Sequence, residues 1–193
     1  MKKQGIVICL AFVVSSVVAL DLNTRGYIGM MLGPSFPYGS FASNGNYDDG
    51  YATTGLNINL LTFGYKVWKN FGISGSWLGI ANPIDYFGTD GMWGVGAIMA
   101  GPFFSIPVSD KTRIDLRAMF GYVLETRKTD FNETVAAHGD GYQFGIMLRQ
   151  NIAKRWSILF SLENLNTQLD IQPDKDPKVA LLNFSFGLAY LLR

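Results

Sequence analysis

From Arg113 to Glu125 the chain alternates without a break. Arg113, Asp115, Arg117, Met119, Gly121, Val123 and Glu125 fall on one face; Ile114, Leu116, Ala118, Phe120, Tyr122 and Leu124 fall on the other. A period of two over thirteen residues is a strand signal. Strands of ordinary soluble domains run to about five or six residues, whereas a tilted strand that crosses a bilayer needs about nine to eleven. The stretch therefore predicts a membrane-spanning strand, paired through the polar turn Ser109-Asp110-Lys111 with the segment that begins at Trp93.

The same reading extends along the chain. Tyr27–Phe36, Gly55–Val67, Phe71–Ala81, Met92–Pro107, Gly141–Ile152, Arg155–Leu165 and Val179–Arg193 are the other predicted strands, eight in all. In the second of these the apolar parity jumps between Leu60 and Leu61, which calls for a bulge or for inward aromatics. Met92–Pro107 is uncharged and resembles a short membrane helix, but Gly94, Gly96, Gly101-Pro102 and Pro107 argue for a strand. The connections alternate between long and short. Pro37–Thr54, Asn82–Gly91, Arg127–Asp140 and Asn166–Lys178 are read as four long, polar, net acidic loops. The short turns and their flanks gather Lys66, Lys69, Lys111, Lys154 and Arg155. This rhythm predicts an all-β fold, an eight-stranded antiparallel up-and-down transmembrane β-barrel with both termini on the periplasmic side.

Composition enters where the orientation of the faces has to be decided. Only 16% of residues are charged, against about 25% in ordinary soluble domains. The polar face of the strands is mostly Gly, Ser, Ala and Asn, which fits a narrow interior rather than a solvated exterior. Its charges, Arg113, Asp115, Arg117, Glu125, Arg149 and Glu163, are balanced in sign and are expected to pair across the lumen as a structural network. An arginine on a lipid-facing midplane would cost about 2 to 4 kcal/mol. The apolar face is therefore read as the outside, with Trp68, Phe71, Trp93, Phe103, Tyr122, Trp156 and Tyr190 placed toward strand ends where aromatic belts form.

Residues 1–20 carry Lys2 and Lys3 followed by an apolar run and Val17-Val18-Ala19, the pattern of a cleaved signal peptide, which leaves 21–193 as the barrel domain. Cys9, the single cysteine, lies inside that segment, so no disulfide is expected. The near-neutral charge balance gives no footprint for nucleic acid. No metal or cofactor constellation stands out. Asp48, Asp49, Asp85 and Asp90 lack calcium-loop spacing and read as solvated carboxylates.

These features resemble the small eight-stranded outer-membrane β-barrel family of Gram-negative bacteria, the class that contains the OmpA-type transmembrane domain and OmpX-like proteins. The resemblance rests on the strand rhythm, on Met99-Ala100-Gly101-Pro102 through Asp110-Lys111 to Gly121-Tyr122, and on the last strand, Phe184-Ser185-Phe186-Gly187-Leu188-Ala189-Tyr190. It implies an outer-membrane location, lipid and lipopolysaccharide as surroundings, and recognition of the last strand by the barrel-assembly machinery. The family's usual terminal aromatic is replaced here by Leu191-Leu192-Arg193. A bare monomeric barrel with no peptidoglycan-binding domain is the expectation. So is a non-enzymatic structural or surface-contact role, with a protein or other surface ligand met through the loops. A lipid A deacylase-like enzyme and a narrow channel are the alternatives. His138, placed by sequence in the third long loop near Asp140, is the only histidine; the deacylase pattern has a serine where Asp140 stands.

Overall fold

The computed structural model describes residues 24–45, 50–86, 89–129, 134–169 and 178–192. The expected signal segment and the pair Asp48 and Asp49 lie outside them. Eight strands, β1 (Gly26–Pro37), β2 (Gly55–Trp68), β3 (Phe71–Tyr86), β4 (Thr89–Pro107), β5 (Thr112–Thr129), β6 (Thr134–Ala153), β7 (Trp156–Leu169) and β8 (Ala180–Leu192), close into one barrel. Every neighbouring pair is antiparallel, and β8 returns to β1 through pairs such as Ile28 with Tyr190 and Leu32 with Phe186. Closure leaves no unpaired sheet edge through the body of the barrel. No helix among the described residues is long and apolar enough to cross a membrane, and the uncharged run Met92–Pro107 lies within β4.

The two-residue period decides what points where. On β5, Asp115, Arg117, Met119, Val123 and Glu125 are buried in the lumen, while Leu116, Phe120, Tyr122 and Leu124 are exposed outside. On β8, Asn183, Ser185 and Ala189 point inward and Phe184, Phe186 and Leu188 outward. The parity break in β2 is a bulge. Met31 pairs with Asn59 but Gly29 pairs with Thr62, and on the other side Leu78 faces Asn59 while Trp77 faces Leu61. Leu60 is the extra residue, and its insertion keeps Asn57, Asn59 and Thr62 all buried inside.

Three expectations are corrected. Asn82–Gly91 and Arg127–Asp140 are not long loops, because β3 runs to Tyr86 before β4 starts at Thr89, and β5 runs to Thr129 before β6 starts at Thr134. Alternating hydrophobicity stops near the edge of the apolar belt, but backbone pairing does not, and it continues through Glu125 with Ala137 and Lys128 with Thr134. His138 consequently stands on β6. Trp93 and Phe103, expected in the aromatic belt, are luminal at 3% and 2% exposure. Their strand carries Gly94, Gly96, Ala100 and Pro102 on its outer side, so the larger side chains of that stretch of β4 fill the interior. Finally, the connection from β1 to β2 is not a freely exposed loop. A 3-10 turn at Gly39–Phe41 drops the ring of Phe41, fully buried, against Trp93 at 5.5 Å between ring centroids.

Candidate functional site

The luminal charges form a layer inside β5, β6 and β7. Arg117 Nη1 donates to Glu163 Oε1 at 2.9 Å, with both side chains almost completely buried. Arg117 Nη2 also donates to the Gly75 carbonyl at 3.4 Å and touches the Met119 sulfur at 3.3 Å. Arg117 and Glu163 come from strands that are not neighbours, since β6 lies between them. The intervening register partner of both is Gly145, and a Cβ built there would come within 2.5 Å of Glu163 Cγ. The missing side chain is what lets the guanidinium cross β6.

Nearer the turn end, Arg149 Nη2 lies 3.4 Å from Asp115 Oδ2, diagonally across β5 and β6. The guanidinium of Arg149 stacks 4.6 Å over the ring of Tyr27, which is itself fully buried. Tyr27 leans over its register partner Gly64, where a Cβ would meet the ring at 2.5 Å. Arg113 is the register partner of Arg149 at the mouth and is only half-buried. The six charged residues of the sequence reading thus resolve into a tight pair (Arg117 and Glu163), a looser pair (Arg149 and Asp115), Arg113 at the mouth, and Glu125. That last carboxylate is buried in the loop-end half of the lumen.

Above and below this layer the lumen is filled. Toward the loop end, Leu78, Ile80, Val95, Met99, Val123 and Leu181 form a cluster with Trp93 and Phe41. Trp93 Nε1 donates to the Gly50 carbonyl at 2.7 Å, and Thr53 and Tyr51 join the backbone of β3 at Pro83 and Asp85, so the first connection is bolted over the mouth. Asn57 ties β1, β2 and β8 together, donating to the carbonyls of Gly33 and Pro34 at 2.8 Å and accepting from Ser185 Oγ at 2.6 Å. Toward the turn end, Met31, Met147, Leu159 and Leu191 pack with Tyr27. The sequence reading missed Tyr27 and Phe41. Tyr27 was recoverable, because it falls in phase with Gly29, Met31 and Gly33; Phe41 lies outside any periodic segment and carried no such signal.

On the outside, His138 is exposed beside Tyr122, with ring centroids 5.8 Å apart. Asp140 follows on the same face, and no serine joins them on β5 or β6 in that region. Trp156 and Tyr190 meet edge to face at 5.6 Å, and Arg155 hydrogen-bonds the Tyr190 hydroxyl, giving the turn end an aromatic and basic rim. Among the described residues, no cluster of three or more His, Cys, Asp or Glu side chains could hold a metal ion.

The closed ring of eight antiparallel strands with a filled lumen defines the class of the small up-and-down β-barrels. Among solved structures, the chain is similar to Ail, the attachment invasion locus protein of Yersinia pestis, at 19% identity and a TM-score of 0.54, covering 87% of this chain and 99% of that one. A second structure of Ail, in complex with the heparin analogue sucrose octasulfate, matches with a TM-score of 0.53 over the same shares. Neisserial surface protein A matches at 11% identity and a TM-score of 0.60, covering 86% of this chain and 96% of that one. The expected fold is borne out by these likenesses. No protein-family model and no curated protein matches the sequence.

Proposed function

We propose that the chain is an integral outer-membrane protein that works by presenting its loop end at the cell surface, and neither conducts nor catalyses. The observation that carries this reading is the inverted packing of the barrel. Ile98, Phe120, Leu124, Phe186 and Leu188 are exposed around the outside, while Arg117, Glu163, Arg149 and Asp115 are sealed within. Such an exterior has its lowest free energy against hydrocarbon, and such an interior leaves no open channel. Lipid and lipopolysaccharide then surround the belt, the turn end with its basic rim faces the periplasm together with both termini, and β8 is the strand offered to the assembly machinery. Residues 1–20 are the segment removed on export.

The resemblance to Ail, whose name refers to attachment and invasion and which has been solved with a sulfated ligand, supports a contact role for a barrel of this shape. Among the described residues of β5 and β6, no serine stands beside His138 and Asp140 to serve as the nucleophile of the deacylase pattern. The test has two arms. An epitope inserted after Gly45 should be labelled on intact cells, and the purified barrel in a planar bilayer should give no single-channel steps. An epitope reached only after lysis, or regular conductance steps, would overturn the reading.

A further inference from the structure

We infer that a recess on the outer wall, running over β7, β8, β1 and β2, holds one acyl chain of an anionic phospholipid whose phosphate rests on Arg155. An acyl chain as occupant presupposes the bilayer of the outer-membrane reading, and the site deepens that reading from a surrounding solvent to one lipid at one place. The recess has a volume of about 850 Å³, within the range of about 300 to 1,000 Å³ in which proteins hold small organic ligands. Its walls are side chains of the lipid-facing surface: Met30 and Leu32 on β1, with Ile158 and Leu188 to one side and Ile58 and Leu60 to the other.

Two local features open it. Phe63 is the register partner of Ile28, but its ring leans the other way, over Gly75 on β3, where an added Cβ would come within 2.5 Å of it. The ring is thereby lost to the wall beside Ile28. The bulge of β2 then turns Leu60 and Leu61 outward in succession, and both line the recess. From Ile28 to Leu32 the recess follows about 14 Å of strand, close to half of a hydrocarbon core about 30 Å thick. It spans one leaflet, the one at the turn end.

Apolarity alone would select nothing, since lipid tails cover any apolar wall equally well. A recess selects because a chain lying in it meets protein on several sides, and dispersion grows with each contact. The chemistry at the turn end then names the headgroup. Tyr190 and Trp156 line the recess there, as rings do at the boundary between tails and headgroups. Arg155 Nη1 donates to the Tyr190 hydroxyl, and the guanidinium lies 5.7 Å from the centre of that ring. The wall of the recess thus holds the cation at its end. Arg155 is exposed and follows Lys154, exposed as well, so the end of the recess is positive. A guanidinium offers several N–H donors in a fixed fork, and one already held in place loses little freedom on binding a phosphate. A second copy of the chain fits less well, because a two-fold contact would set the same concave patch against itself and leave a void.

The experiment places the full chain in nanodiscs of phosphatidylcholine and phosphatidylglycerol in equal amounts, releases it into non-ionic detergent and weighs it by native mass spectrometry. The parent should keep one lipid per barrel, with phosphatidylglycerol in about tenfold excess, the selectivity of roughly one charge-assisted hydrogen bond. Arg155→Gln should abolish that excess. Lys69→Gln, which removes a cation lying over Trp68 at another turn, should leave it. Met30→Trp fills the recess and should remove both lipids, whereas Ile98→Trp, on the outward face of β4, should remove neither. The preference of the parent is read without any variant, so a substitution that fails to fold does not decide the outcome. No retained lipid, equal retention of the two lipids by the parent, equal losses in the two control variants, or a dimer in place of the lipid would overturn the site. If the site fails while the loop-end epitope is still labelled on intact cells, the surface role stands; a barrel that does not enter the nanodisc overturns both.

Discussion

Gly145 has no side chain to contribute, and the centre of the lumen depends on that. Its flanking partners Arg117 and Glu163 meet across the space it leaves. With both ions almost fully buried, removal of one leaves the other charged and unpaired. Arg117→Ala should therefore cost about 3 to 5 kcal/mol, and Arg117→Ala combined with Glu163→Ala should cost less than the single change. Urea unfolding in lipid vesicles would measure both, and an unaltered midpoint for Arg117→Ala would remove the ion pair from any account of stability. Much of this was legible in the sequence. The period of two put Arg113, Asp115, Arg117, Glu125, Arg149 and Glu163 on the inner face, but it could not say which would pair. Partners on β5 and β7 are chosen by the stagger of β6, a long-range quantity that no local pattern encodes.

The bulge at Leu60 operates at the scale of a strand. Two consecutive outward leucines absorb a change of phase, so that Asn57 and Asn59 before it and Thr62 after it remain inside. Deleting Leu60 should thus restore plain alternation and leave a barrel that still folds. Deleting Phe63 should fail, because it turns Tyr65 inward and Lys66 outward in one step. The retarded or advanced migration of unheated samples on a denaturing gel separates folded from unfolded barrels and would decide it; equal behaviour of the two deletions would discount the bulge. The jump in parity was visible in the sequence, as were most strand positions. The ends of β3 to β6 were not, because outward residues above the belt, such as Thr126, Lys128 and His138, are polar and look like loop while their backbones go on pairing.

For the whole molecule, the proposed lipid boundary makes a depth-dependent prediction. Phe120 is exposed near the middle of the apolar belt, and Thr126 lies above it on the same strand and face. Phe120→Arg should cost about 2 to 4 kcal/mol in vesicles, and Thr126→Arg about 0 to 1 kcal/mol. Equal costs in equilibrium unfolding would argue against a bilayer around this belt. One further consequence comes from the unequal strands. β3 to β6 have 16, 19, 18 and 20 residues, whereas β1, β2, β7 and β8 have 12, 14, 14 and 13. At about 3.4 Å per residue, several extra residues raise one half of the wall well above the other. The barrel is cut obliquely, like a quill. Among the described residues the paired wall therefore has a high side, along β3 to β6, and a low side, along β7, β8, β1 and β2.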